Sequence, residues 1–293
     1  MTFFTPIINF DFVQPHQWVK ISKLKIKSIS DTDFLNYFGA KRIFDENGRL
    51  TSLKLVGKKH TNIRALRHAN LSALNEFQKA KLLECKYAFV SNLDATKHGL
   101  EVYNILNALR LFKLNGIICP VTFDDDNKQI NLYFMYPIES KIKGKTILTR
   151  LELKKVEKIL SNLPEIDSED IKLLSLVVEQ GISILSLVFL VIILERSIMK
   201  GDQREIIFKV KLYAAKLLSK CFKYKEKEVF DIINTAYRLR SKFVHSAKTP
   251  PDDEINKIFP HLYDYTIKIL KVKAQAPDLL SDKNRNKLLL SIR

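Results

Sequence analysis

The chain has 293 residues, of which 46% are hydrophobic and 28% charged, and it carries a formal net charge of +17. This composition excludes low-complexity, collagen-like and disordered chains, and the length suffices for two domains that each bury a core. The positive field attracts phosphate backbones or anionic membrane faces; the basic residues are spread over both halves and no basic amphipathic helix carries aromatic anchors, so nucleic acid is the expected partner rather than a membrane.

Residues 4–28 read as strands. Ile7-Ile8-Asn9-Phe10-Asp11-Phe12 is a β-rich run, and Val19-Lys20-Ile21 and Leu24-Lys25-Ile26-Lys27 alternate apolar residues with lysine, which puts a solvated basic row on one sheet face. A turn at Glu46-Asn47-Gly48 precedes Leu53-Lys54-Leu55-Val56, so the first sixty residues read as an antiparallel sheet. Helical spacing follows at Leu71, Leu74, Phe77 and Leu82, and Tyr87-Ala88-Phe89-Val90 reads as a strand. A second helix starts at the cap residue Asp94, carries Val102, Ile105, Leu109 and Phe112 on one stripe, and stops at Asn115-Gly116; its stripe should lie against the sheet.

Residues 117–123 and 130–134 form an expected hairpin around Asp124-Asp125-Asp126-Asn127. Adjacent carboxylates on a hairpin tip diverge, whereas metal sites draw ligands from separated elements, so this is a solvated turn and no metal or other cofactor is expected. Cys85, Cys119 and Cys221 are far apart with no C-x-x-C, which indicates neither a disulfide framework nor zinc. With no signal-peptide pattern in Met1-Thr2-Phe3-Phe4-Thr5-Pro6, a reducing, cytoplasmic setting is expected.

Beyond Lys145 the strand signals stop, which sets an expected boundary: an α+β domain over 1–150, a helical bundle over 151–275 and a basic tail over 276–293. Helices are expected over 151–163, from the cap signal Asp167-Ser168-Glu169-Asp170, and over 205–221, 227–244 and 252–273. The most apolar stretch, 182–194, lies between Glu179 and Glu195 and is well short of the roughly 20 residues that cross a bilayer. It reads as a buried helix, covered by its own bundle and by a second subunit.

Tyr237-Arg238-Leu239-Arg240-Ser241-Lys242-Phe243-Val244-His245-Ser246 is the stretch that carries chemistry. It places a permanent cation and an imidazole, which titrates near neutrality, on one short segment. Cleavage of RNA by its own 2′-hydroxyl needs a base, an acid and positive charge on the developing phosphorane. His245 can serve as acid or base and Arg240 can clamp the phosphate. On a helix, positions five apart point about 140° away from each other. Ser246, Thr249 and Pro250-Pro251 end the helix just past His245, an expected freedom for the imidazole to swing toward the arginine.

This stretch closely resembles the R-x4-6-H signature of HEPN domains, in particular the ApeA-like group. The resemblance extends upstream to Leu194-Glu195-Arg196-Ser197-Ile198, similar to the family's helix with a buried-side glutamate, and covers roughly the C-terminal half. Both arginines fit the spacing, Arg240 as R-x4-H and Arg238 as R-x6-H; the polar Ser241 after Arg240 favours Arg240 as the catalytic residue and leaves Arg238 to bind nucleic acid. Ser241, Lys242 and Glu195 are the supporting residues, with Glu195 expected to orient Arg240 across the bundle. The resemblance implies an all-α HEPN-like bundle and a metal-independent endoribonuclease acting in a toxin or phage-defence system, with RNA as substrate and an antitoxin or phage-derived trigger as a further partner. A two-fold dimer would supply the second histidine that acid–base cleavage needs. The competing expectation is a HEPN-like scaffold that binds nucleic acid or protein without catalysis.

Overall fold

The computed structural model describes residues 2–14, 18–33, 40–44, 46, 50–55, 85–119, 122–124, 130–131, 146–199, 206–246 and 249–290. The chain divides into two compact units, one of Met1–Leu106 with Gly116–Glu157 and the other of Asn107–Asn115 with Lys158–Arg293. The architecture is α+β: an antiparallel sheet with helix in the first unit and helices in the second. Residue 150, the expected boundary, opens a helix whose first turns fall in the first unit.

The first unit is built on β1 (Phe3–Ile7), buried along its whole length. Around it lie β3 (Trp18–Ile21), β4 (Leu24–Ser28), β7 (Tyr87–Ser91), β8 (Thr122–Asp124) and β9 (Ile130–Asn131) in the order β3-β4-β7-β1-β8-β9, every pair antiparallel. The lysine alternation does what the period-two rule demands: Val19, Ile21, Leu24 and Ile26 are buried while Lys20, Lys25 and Lys27 face out. Lys25 sits over the exposed Trp18 ring and Lys27 pairs with Asp33 at 2.9 Å, so the basic row is partly occupied by its own neighbours.

Three sequence expectations change here. The run from Ile7 to Phe12 is not one strand, because Asn9 turns the backbone at φ 59° and separates β1 from β2 (Phe10–Phe12); asparagine tolerates that region, and its Nδ2 donates to Gly116 O at 3.0 Å. The first sixty residues do not make one sheet, since β7 inserts between β4 and β1 while β5 (Ala40–Phe44) and β6 (Leu50–Leu55) pair with each other. Strand structure also continues past Lys145, where β10 (Thr146–Leu148) runs parallel to β2. A three-residue strand holds too little alternation to show in a sequence. The helix expected over 71–82 and the hairpin tip over 125–127 lie outside the described residues.

Helix α1 (Ala95–Phe112) starts where its cap was read, with Asp94 Oδ1 accepting from Lys97 N at 2.9 Å. Its stripe of Val102, Ile105 and Leu109 is buried, and His98 ties it to the sheet through Thr5 and Ser91. Helix α2 (Arg150–Ser161) follows β10.

In the second unit, α3 (Ser168–Gln180) is capped by Asp167, which accepts from Glu169 N at 2.8 Å, and ends at Gly181 with φ 65°. Helix α4 (Ile184–Ile198) is capped by Ser183 and packs against α3 and against α5 (Ile206–Phe222), α6 (Glu226–Ser246) and α7 (Asp252–Gln275). It is the apolar centre of the bundle, although Leu185 is exposed and Val188, Phe189 and Ile192 are only half-buried. The tail is docked: a 3₁₀ turn over Pro277–Leu280 leads to α8 (Asp282–Leu290), whose buried Arg285 donates to Ile198 O at 2.7 Å.

Candidate active site in the helical unit

The end of α4 is fixed before it reaches the signature helix. Asp170 on α3 is fully buried and accepts from Arg196 Nε at 2.9 Å and from Lys273 Nζ at 2.7 Å, joining α3, α4 and α7 through one carboxylate with two cations. A buried carboxylate is tolerated only when its charge is answered in this way. Arg196 is thereby anchored, and the adjacent Glu195 is presented to α6.

Glu195 Oε1 lies 3.4 Å from Arg240 Nη1, the contact expected across the bundle, with both side chains partly buried. Tyr237, one turn before Arg240, belongs to the same cluster. Its phenol is held well above its ordinary pKa by burial first and by the Glu195 carboxylate second. Neither the Tyr237 hydroxyl nor Arg240 Nε has a hydrogen bond of normal geometry among the described residues. Glu195 thus faces both the Arg240 guanidinium and the Tyr237 phenol, which makes it the organising group of the cluster. Tyr237 was not singled out from sequence as a site residue, although its i, i+3 spacing from Arg240 places it on that helix face.

The opposite side of α6 is open. Arg238, Ser241, Lys242 and His245 are all exposed and recur at i, i+3, i+4 and i+7, which is one helical face. Arg238 Nη2 donates to Glu254 Oε2 at 2.8 Å, where the first turn of α7 carries Asp252, Asp253 and Glu254. His245 lies in the last turn of α6, and the helix is intact past it: Ser246 closes the turn by donating its hydroxyl to Lys242 O. The helix ends one residue past His245, as expected, and His245 itself still projects from helical backbone. Arg240 and His245 project about 140° apart, whereas Arg238 and His245 are only about 20° apart and two turns along the axis.

Apolar residues surround this open end. Val244 is 56% exposed, and Ile207 and Phe208 in the first turn of α5 are 49% and 54% exposed. Lys211 donates to Asn234 Oδ1 at 2.9 Å, so α5 and α6 run antiparallel and that first turn lies level with Arg238.

The first unit holds a histidine of another kind. His98 is fully buried, with Nε2 2.8 Å from Thr5 Oγ1 and Nδ1 2.8 Å from Ser91 Oγ, and Thr5 Oγ1 is 2.6 Å from Thr122 Oγ1. Burial pulls its pKa down to about 4, so at neutral pH the ring is uncharged and one nitrogen donates while the other accepts. No sequence signal singled it out beyond its place in the second turn of α1.

Among the described residues no group of His, Cys, Asp or Glu is arranged to hold a metal ion, and no helix is long and apolar enough to cross a membrane. Comparison with protein families, curated proteins and solved structures gave no match to this chain.

Proposed function

We propose that the helical unit is a metal-independent endoribonuclease of the HEPN type, acting as a cytoplasmic toxin or phage-defence effector through a site composed by two copies of the chain. The observation that carries this reading is the division of labour on α6: Arg240 is held on the bundle side by Glu195, while His245 stands exposed at the end of the same helix with Arg238, Ser241 and Lys242 on its face. Arg240 and His245 of one chain diverge, so a phosphate that contacts both calls for a second α6. The exposed Val244, Ile207 and Phe208 give that end an apolar surface suited to a two-fold contact.

In such a site one His245 takes the proton from the 2′-hydroxyl, whose oxygen attacks the phosphorus. The P–O5′ bond breaks and the partner's His245 returns a proton to the leaving O5′, giving a 2′,3′-cyclic phosphate and a free 5′-hydroxyl. Arg240 answers the charge on the non-bridging oxygens, and Arg238 and Lys242 hold neighbouring phosphates. An antitoxin or phage-derived trigger would act by covering or freeing this end.

The test is RNA cleavage in excess EDTA, run on wild type, on His245→Ala and on mixtures of the two. A composite site predicts that mixed dimers lose far more than half the activity per wild-type subunit. Activity strictly proportional to wild-type content, or a monomer in sedimentation, removes the shared site. The second reading, a HEPN-like module that binds nucleic acid or protein without cleaving, has its own support in the ion pairs that occupy both arginines, Arg238 with Glu254 and Arg240 with Glu195. RNA binding without cleavage by the wild-type chain would select it.

A further inference from the structure

Away from the signature end, α5, the 3₁₀ turn over Pro277–Leu280 and α8 enclose a cleft of about 350 Å³. Tyr213, Leu217 and Lys220 reach it from one face of α5, at i, i+4 and i+7, and Asn284, Lys287 and Leu288 from one face of α8. By the antiparallel register of α5 and α6, Lys220 lies roughly 30 Å along the helix axis from the level of His245. The cleft is thus a separate place on the unit.

Its walls are set by polar clamps that leave little to rearrange. Tyr213, fully buried, donates its hydroxyl to Leu279 O and so fixes the turn to α5. Arg285 pins α8 through Ile198 O at 2.7 Å and through Asp282. Asn284 Nδ2 donates to Asp278 O at 2.8 Å, which leaves Oδ1 as its free end. A preformed cavity saves a ligand the cost of ordering its own site.

The lining has two halves. Leu279 and Leu288, both only half-buried, offer aliphatic surface, with the buried Leu217 behind them. Lys220 and Lys287 are exposed, and neither has an ion-pair partner among the described residues, although this unit repeatedly pairs its cations elsewhere, as at Arg196, Lys268 and Lys273. Two unanswered ammonium groups beside aliphatic surface complement an anion with an apolar body. A heterocycle fits less well: Tyr213 is too buried to offer a ring face for stacking, and a single free acceptor would leave the edge donors of a base unpaired.

We propose that this cleft binds a small amphipathic anion, an alkyl chain against Leu279 and Leu288 with its carboxylate or phosphate head between Lys220 and Lys287. The proposal is independent of the ribonuclease reading. Titration of the full chain with decanoate, decyl phosphate, adenosine monophosphate and inorganic phosphate, followed by calorimetry below the micelle concentration, tests it. Saturable binding of decanoate or decyl phosphate is expected, with the two separating a carboxylate from a phosphate source, and a Lys220→Ala/Lys287→Ala double variant should weaken it about tenfold at unchanged circular dichroism. His245→Ala and Arg238→Ala should bind as wild type does. Absence of saturable binding, equal binding of adenosine monophosphate or inorganic phosphate, indifference to the double lysine variant, or sensitivity to His245→Ala would each overturn it.

Discussion

The two histidines His98 and His245 occupy opposite kinds of surroundings. His98 sits inside the first unit with both ring nitrogens engaged by hydroxyls and its charged form suppressed by burial, whereas His245 stands in the last turn of α6, exposed, on a face shared with a serine, a lysine and an arginine. Both are polar residues on helices, yet only the second can exchange a proton with a molecule arriving from solvent. The buried ring serves as a cross-brace between helix and sheet. The contrast shows why a histidine is judged by what its nitrogens touch rather than by its presence in a segment that suits chemistry.

The strongest way to sharpen this contrast is to remove each ring. His245→Ala is expected to reduce RNA cleavage by about 10²–10⁴-fold, the usual worth of a general acid or base, with a thermal midpoint close to wild type. Cleavage at the wild-type rate in a gel assay would break the comparison at its functional end. His98→Ala should instead leave RNA chemistry to whatever fraction is folded and cost about 2–4 kcal/mol in urea unfolding, because the buried hydroxyls of Thr5 and Ser91 lose their common partner.

The same ring makes a pH prediction. The folded pKa of about 4 lies below the ordinary 6.5, so between those values the unfolded chain binds a proton that the folded chain does not. Stability from this group is fully present above pH 6.5 and is lost as pH falls toward 4, by up to about 3 kcal/mol. Unfolding free energies measured from pH 7 to 4 should show that slope, and His98→Asn should flatten it.

Smaller effects separate the two arginines. Glu195→Gln removes the charge that positions Arg240 and should lower cleavage about tenfold while leaving RNA affinity nearly unchanged, a split that kcat and KM measured separately will show. Arg238→Ala, on the His245 face, should weaken RNA binding several-fold and reduce the salt slope of affinity by about one phosphate contact. If Arg238→Ala instead abolishes turnover and Arg240→Ala does not, the R-x6-H spacing is the working one.

Much of the local structure was legible in the sequence because local rules write it. Asp94 and Asp167 cap the helices they precede, and the lysine alternation at residues 19–27 gives the hairpin and its outward face. The Glu195–Arg240 contact was expected from the resemblance of the two segments to HEPN domains. What escaped was pairing at a distance: β7 entering between β4 and β1, and β10 lying beside β2, are choices among strands that no residue announces locally. Tyr237 and Asp170 escaped for a related reason. Their roles come from burial next to a charge, and burial of a polar residue is decided by tertiary packing rather than by helix periodicity. The end of α6 just past His245, by contrast, was legible, because Ser246, Thr249 and Pro250-Pro251 mark where a helix stops.

The middle position of β1 bears on the order of events during synthesis. Its partners β7 and β8 arrive some 84 to 121 residues later, and β2 waits for β10 until residue 148 has been made. At roughly 5–20 residues per second, β1 spends about 4–24 s without its neighbours. Meanwhile the β3–β4 hairpin, closed by a short turn at Ser22, can form at once. The N-terminal unit should therefore fold by threading its oldest strand last into a frame of younger ones, leaving the apolar Phe3-Phe4 edge in the care of the ribosome or a chaperone until then.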